Sequence, residues 1–397
     1  MRRIRHVTFL FYFFASCPLW AAQFDPPSNI QRLNKAVQVY EGLSKKGPWP
    51  EIPKGEKIEP LAEDERIPLI RKRLEAEGYI KKSSDEKIYD DKLLEVVKLY
   101  QIRNGMEPDG VIGKGTVATM NVPVEKRVCQ LKINRLRFTS LAATTQAGAE
   151  GTASSAVPTR YIRVNVPDFH LHVVKDDEPV LASRVIAGRR DRKTPIFNDE
   201  ITHLVVNPAW YVPRSIAVKD KLPTLQKDPD YLERMGMRLY GKSPEGETIE
   251  VDPGTVDWTT VTPNDFDYRI VQKPGAGNAL GTVKFLFPNK YDVYLHDTSD
   301  RHLFRRDSRS FSSGCVRVEN YMELAEYVLK DTPDWDREKI ESAIDSGIQR
   351  RIDLTVPFPI HIVYVTAWVD EDGTVQFRND VYGYDSPLAK TACSELP

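Results

Sequence analysis

In residues 28–44 the apolar positions Ile30, Leu33, Val37, Tyr40 and Leu43 recur three or four residues apart, which predicts a helix with one apolar face. GPWPEIPKGEKI follows, a loop punctuated by Pro and Gly that carries Trp49. Ile67, Ile70 and Leu74 mark a second helix, with Gly78 as its stop. DDKLLEVVKLYQIRNG predicts a third, ending near Gly105. An Asp109-Gly110 turn leads to a short helix ending near Asn121, and another spans about 124–138 and continues the helical module. Residues 140–158 are rich in Ala, Thr, Ser and Gly with a single charge, the composition of a flexible linker.

After residue 158 the period changes from helical to alternating. TRYIRVNV, HLHVVKD, PVLASRVIAG and ITHLVVNP read as strands rich in Val and Ile. From about 215 to 265 the strand pattern gives way to helical pieces and loops. It returns at TVKFLFP and YDVYLHD, and again at RIDLTV, IHIVYVTAWV and TVQFRND after helices at about 320–330 and 336–346. Strand runs interrupted by segregated helices predict an α+β fold. The expected division is a leader over 1–22, a helix and Pro/Gly loop over 23–59, a small three-helix domain over 60–125, a helix and linker over 126–158, a mainly β domain over 159–385 and a tail over 386–397.

Composition narrows the class. The chain has 397 residues, 41% apolar and 28% charged, which suits two or three globular domains and not a disordered chain. Its formal net charge of −1 excludes the large basic excess of a nucleic-acid binder. Arg2, Arg3 and Arg5 precede a short apolar run from Val7 to Leu19, and Ala21-Ala22 offers small residues for cleavage. This is the pattern of a cleaved secretory signal, too short to span a bilayer, and it directs the protein to the periplasm. A rival reading is a lipoprotein signal with Ala15-Ser16 before Cys17, for which Phe14 and Pro18 are poor neighbours.

Three cysteines remain beyond the leader, too few for a disulfide framework. Cys129 sits in a helical pattern that suits a small buried side chain, Cys393 lies in a polar tail, and whether the two pair stays open. Cys315 differs: it follows Gly314 in SFSSGCVRVEN, outside any amphipathic stripe, in a small, open setting that suits a reactive thiol. His296 ends the YDVYLH strand 19 residues earlier, close enough for the loop between them to return imidazole to sulfur. A buried Cys and a surface His fit the spacing equally well. His170 and His172 share a strand face, but no third ligand has metal-site spacing, so neither a metal nor any other cofactor is expected. Ser312 and Ser313 lack the G-x-S-x-G elbow of a serine hydrolase.

The segment from Asn278 to Asn320, with His296, a loop and then Ser-Ser-Gly-Cys-Val-Arg, closely resembles the signature of YkuD-type L,D-transpeptidases. RYIRVNVPDFHLHVV, RVIAGRRDRKTPIF and LVVNPAWYVPRSIA resemble the opening strands of that domain. KLYQIRNGMEPDGVIGKGTVATMN resembles a three-helix peptidoglycan-binding domain, and the N-terminal helix with GPWPEIPKG resembles the scaffold of the family's large, capped subgroup. Many members carry His directly before Gly-Cys; this chain has Ser313 there, as the capped subgroup does.

The resemblance implies a mechanism. Cys315 attacks a donor tetrapeptide stem at its third residue, His296 handles the thiol proton, D-Ala leaves, and an amine of an acceptor stem resolves the thioester into a 3→3 crosslink. The N–H groups of Gly314 and Cys315 are the candidate oxyanion donors. Tyr294 and Trp210 match cleft-lining aromatics, although core packing explains Trp210 nearly as well. Arg317 either binds a stem carboxylate or braces the loop, and Arg301, Arg305, Arg306 and Arg309 default to a solvated run. The 215–265 insertion corresponds to a lid, although an excursion that only covers a sheet edge fits the residues about equally well, and carbapenem-type β-lactams are expected covalent inhibitors. An L,D-carboxypeptidase and a non-catalytic wall-binding protein are the alternatives; acceptor preference, oligomeric state and protein partners stay open.

Overall fold

The computed structural model describes residues 26–149 and 160–394, so the expected leader and the second half of the expected linker lie outside the described residues. Five helices come first: α1 (Pro26–Ser44), α2 (Ile67–Ala76), α3 (Asp91–Arg103), α4 (Lys114–Met120) and α5 (Val124–Ala149). The strands are β1 (Arg160–Asn165), β2 (His170–Lys175), β3 (Glu178–Gly188), β4 (Phe197–Val206), β5 (Trp210–Tyr211), β6 (Met237–Lys242), β7 (Thr248–Val251), β8 (Arg269–Gln272), β9 (Val283–Leu286), β10 (Leu295–His296), β11 (Ser310–Ser312), β12 (Val316–Val318), β13 (Arg350–Val363), β14 (Ala367–Val369) and β15 (Val375–Phe377). The α+β expectation holds.

The main sheet runs β11-β3-β12-β10-β9-β4-β13-β1-β2, and a further β2–β3 pairing closes it on itself, so no long edge is left open. Its inward residues, among them Val164, Leu171, Leu204, Phe285, Leu295 and Ile360, form the core with Leu324, Val328 and Leu329 of the helix Tyr321–Leu329. The long strand β13 pairs with β4 on one side and β1 on the other. Its register with β4 shifts between Asp353 and Phe358, around Pro357, which has no N–H to donate to the ladder.

Three smaller cores surround this barrel. Ile52, Ile58, Ile67, Leu74, Tyr89, Val97, Tyr100, Ile112 and Met120 make one core, so the helical domain already begins inside the expected loop. Asp90 caps α3 by accepting from the Leu93 N–H at 2.8 Å and also pairs with Arg71 of α2 at 2.8 Å.

The second core corrects the place of α5, which runs to Ala149 and does not continue the helical domain. Its Val128, Leu131 and Phe138 pack with Leu33, Val37 and Tyr40 of α1 and with Val365, Trp368 and Phe377 around the β14–β15 hairpin. Helix propensity carries the Ala-rich stretch on, because alanine is the best helix former whatever its low complexity suggests. The third core belongs to the insertion. Besides the expected helical pieces it has its own four-stranded sheet, β5-β8-β6-β7, packed on Leu222, Leu225, Trp258 and Phe266. Those strands are short and polar on one face, which hid them in the sequence.

Cys129 on α5 and Cys393 form a disulfide, which settles the pairing and replaces the small buried thiol expected at Cys129. The bridge fastens the C-terminal helix Asp385–Ala392 to α5 across a sequence separation of 264. Reduction, or Cys129→Ser, is expected to lower stability by about 2–4 kcal/mol. The urea midpoint with and without a thiol reductant measures this, and an unchanged midpoint would show the bridge to be energetically idle.

Candidate active site

Strands β10 and β12 run parallel, with Leu295 opposite Val316 and His296 opposite Arg317. One step back, the Val316 N–H donates to the Tyr294 carbonyl at 3.1 Å. Alternation therefore puts Tyr294, His296, Cys315 and Arg317 on one face, while Leu295 and Val316 point into the barrel core. On the other side of β10, Lys284 of β9 lies opposite His296 and joins that face. The structure thus brings Cys315 and His296 together as diagonal neighbours on adjacent strands.

Cys315 is half-buried, which corrects the open, flexible setting expected of it. The turn before it is held on several sides. Thr194, fully buried, donates its hydroxyl to the Gly314 carbonyl at 2.8 Å. The Arg189 N–H donates to the Ser312 carbonyl at 2.9 Å. Ser312 Oγ accepts the Gly314 N–H at 3.1 Å and donates to the Cys315 carbonyl at 2.5 Å. Gly314 sits at φ +126°, a conformation side chains rarely adopt, while a Cβ there would meet only ordinary contacts. Glycine is needed for the backbone angle and not for space.

This geometry corrects one expectation. The Gly314 N–H is already committed to Ser312 and is removed from the expected oxyanion hole. Because Thr194 fixes the Gly314 carbonyl and the peptide is planar and trans, the Cys315 N–H points the opposite way, away from Thr194.

The His296 ring is buried and its Nδ1 faces the Asp297 carbonyl oxygen, which selects the tautomer with the proton on Nδ1. Asp297 is itself pinned: its carboxylate accepts the Thr282 N–H at 2.9 Å and the Thr282 hydroxyl at 3.2 Å. Burial and then the Arg317 guanidinium push the imidazole down to about 3, against the carbonyls of Asp297 and Leu280. Burial pushes the Cys315 thiol up to about 11, although hydrogen bonds from Tyr294 and the charges of Lys284 and Arg317 pull it back. Imidazole and thiol share a face but are not bonded to each other here; the ring is held by backbone carbonyls and the sulfur by Tyr294.

Both partners are therefore neutral at neutral pH. Since the thiolate is the reactive form, alkylation of Cys315 by iodoacetamide is expected to rise about tenfold per pH unit between pH 7 and 10. Peptide mapping by mass spectrometry reads this out. A rate that is flat from pH 5 to 8 would instead mark a resting thiolate–imidazolium pair.

The remaining candidates separate. Tyr294 faces Cys315, with the Lys284 ammonium 4.9 Å from its ring centre. Arg317 braces the loop, donating to Asp300 at 2.9 Å and Thr298 at 3.2 Å. Ser313 is exposed and accepts from Arg192 at 2.9 Å. Trp210 lies on β5, paired with Gln272 and half-buried against the insertion's own core, with the Lys221 ammonium 5.5 Å from its ring centre. Arg309 departs from the solvated run, being buried and bonded to the carbonyls of Val185, Arg306 and Phe169. His170 and His172 stack at 6.2 Å on β2, beside Asp168.

Sequence reasoning missed Lys284, Arg192 and Thr194. Lys284 left a signal, a lone cation at an outward position of the apolar strand Val-Lys-Phe-Leu-Phe. Thr194 left none, since its role depends on a contact across 120 residues.

Residues 159–336 match the L,D-transpeptidase catalytic domain of the YkuD family, and residues 63–120 match a peptidoglycan binding domain. The segment similar to the L,D-transpeptidase catalytic domain thus lies C-terminal to the segment similar to a peptidoglycan-binding domain. A Haemophilus influenzae protein named "Putative L,D-transpeptidase" is 36% identical over 227 residues. The match takes in 57% of this chain and 45% of that one, so the chain spans under half the length of this relative. Among solved structures, an L,D-transpeptidase from Mycobacterium smegmatis is 11% identical over 52% of this chain and 58% of its own, with a TM-score of 0.24. One from Xylanimonas cellulosilytica is 13% identical over 79% and 100%, also at 0.24. An LD transpeptidase in complex with imipenem is 10% identical over 52% and 59%, at 0.23.

Proposed function

We propose that this protein is a peptidoglycan L,D-transpeptidase that works through a thioester on Cys315. The observation that carries the reading is the single face of Tyr294, His296, Cys315 and Arg317 inside a YkuD-type domain. The Cys315 sulfur attacks the carbonyl carbon of the third residue of a donor tetrapeptide, and the thiol proton passes to Nε2 of His296. The Cys315 N–H donates to the oxyanion, worth about 3 kcal/mol for one such donor. Collapse breaks the bond to D-Ala, which leaves as the amine after taking the proton from His296. An acceptor amine then attacks the thioester and loses a proton to His296, the carbon–sulfur bond breaks, and the thiol is restored as a 3→3 crosslink forms.

The chemistry asks the imidazole to turn from its carbonyl contacts toward the sulfur as substrate enters, the tightening expected between a free and an occupied site. Carbapenems present an electrophilic carbonyl to the same sulfur and are expected to acylate it. The peptidoglycan-binding domain holds the enzyme on its polymer. The Cys129–Cys393 bridge and the basic-then-apolar leader both support the periplasm, an oxidising compartment.

Incubation with tetrapeptide sacculi, followed by mass spectrometry of the muropeptides, tests the reading. Crosslinked dimers are expected. Tripeptides alone would make it an L,D-carboxypeptidase, and unchanged material a wall-binding protein.

A further inference from the structure

Arg192 lies on the turn after β3, two residues before the Thr194 that holds Gly314. Its guanidinium grips the Asp220 carboxylate with both arms, Nη1–Oδ2 at 2.5 Å and Nη2–Oδ1 at 2.6 Å, and Nη1 also donates to Ser313 Oγ at 2.9 Å. This is the forked geometry by which arginine recognises any carboxylate. Ser313 stands two residues before Cys315, so the fork sits at the mouth of the nucleophile turn. Asp220 does not belong to the barrel. It comes from the insertion, in the helical stretch Ala217–Lys221.

Of the neighbouring cations, Lys284 faces the Tyr294 ring and the Cys315 thiol, and the others are engaged elsewhere or lie behind this pair. Arg317 is committed to Asp300 and Thr298. Lys193 donates to the Tyr382 carbonyl at 3.0 Å and lies over the Tyr384 ring. Arg189 stands 3.9 Å from the same Asp220 carboxylate and 3.4 Å from Asp191, whose other oxygen is 4.0 Å from Arg192, so when Asp220 withdraws two guanidinium groups face a single remaining carboxylate. The Arg192 side chain is 14% exposed and that of Asp220 33%, so the carboxylate is the more accessible member of the pair.

Resting on the transpeptidase reading, we propose that Arg192 binds the terminal carboxylate of the donor stem, and that Asp220 occupies this place in the free enzyme. Substrate then exchanges one carboxylate for another. The Arg192 fork stays filled, Asp220 is released, and the insertion loses its tie to the nucleophile turn. The insertion thus responds to the anionic end of the correct donor, and a stem without that anion leaves it latched.

The test compares a donor tetrapeptide ending in the free D-Ala carboxylate with the same peptide as its C-terminal amide, using D-Ala or D-alaninamide release as the readout. Wild type is expected to favour the acid by roughly tenfold or more in kcat/KM, the scale of a charge-assisted hydrogen-bond pair. Arg192→Gln is expected to bring the acid-to-amide ratio near one, Arg192→Lys to recover part of it, and Asp220→Asn to lower KM for the acid more than for the amide. Thermal midpoints of the variants separate these effects from misfolding. An acid-to-amide ratio kept by folded Arg192→Gln overturns the assignment while the transpeptidase reading stands. A wild-type protein that releases nothing from either peptide and takes up no imipenem by intact mass overturns that reading, and this inference with it.

Discussion

Replacing Cys315 by Ala is expected to lower D-Ala release from a tetrapeptide donor by roughly 10⁴-fold or more, and to end mass uptake from imipenem. No neighbour can stand in for the sulfur. Ser312 Oγ is locked between the Gly314 N–H and the Cys315 carbonyl, and Ser313 Oγ accepts from Arg192. Burial, then the nearby thiol, hold the Tyr294 phenol well above its usual range, which makes it a poor nucleophile. The fold is expected to survive. The turn is fixed by Thr194, Arg189 and Ser312 through backbone groups, none of which uses the sulfur, so the stability change is expected to stay within about 1 kcal/mol. Intact mass and a urea midpoint on the same preparation give both answers. Undiminished release by a folded Cys315→Ala protein would falsify the thioester.

The largest stability effect is expected at a distance from that face. Arg378, 5% exposed, pairs through Nε with the buried Asp168 and donates through Nη1 to the carbonyls of Phe377 at 2.8 Å and Arg103 at 3.2 Å. Its guanidinium lies 4.5 Å from the Trp368 ring centre. A Cβ on Gly105 would come within 2.4 Å of its side chain, so glycine there is what lets the helical domain approach. One residue thereby joins the barrel, the hairpin and the end of α3. Arg378→Met leaves Asp168 as a buried charge without its cation, for an expected loss of about 3–5 kcal/mol at pH 7.

The pH dependence checks the cause. Burial alone would raise the Asp168 carboxyl, but Arg378 and His170 outweigh it and hold the group well below the carboxylate range. A depressed folded value means stability that is present above the unfolded value and lost as pH falls through the folded one. The gap between wild type and Arg378→Met is therefore expected to narrow as the pH is lowered below about 4. A gap that stays constant down to acid pH would assign the loss to packing on Trp368 instead.

How far the sequence reached follows from the range of the forces involved. Helical and alternating periods are local, so α1 to α4 and the longer barrel strands could be read directly, whereas β11 and β12, three residues each, are too short to show a period and read as loop. Gly314-Cys315 and His296 could be found because their motif is compact and they sit at strand ends. What the sequence did not show depends on partners far along the chain. The Gly314 N–H looked free until Ser312 was seen to hold it, and the strand that pairs with Trp210 comes from about sixty residues further on. The disulfide joins two cysteines with no shared local pattern. The Ala-rich stretch after residue 138 was misread for a different reason: low complexity suggested a linker where helix propensity prevailed.

The core shared by α1, α5 and the β14–β15 hairpin also orders events in time. Leu33 and Tyr40 stand near the start of the described chain, yet their partners Trp368 and Phe377 stand near its end. The helical domain and much of the barrel have their own cores and can form as they emerge. The hub that carries them cannot close until nearly the whole chain is available, and only then are Cys129 and Cys393 within reach of each other. A chain cut short before the hairpin would leave the apolar faces of α1 and α5 uncovered, so truncated products would be marked for degradation by the surface they expose.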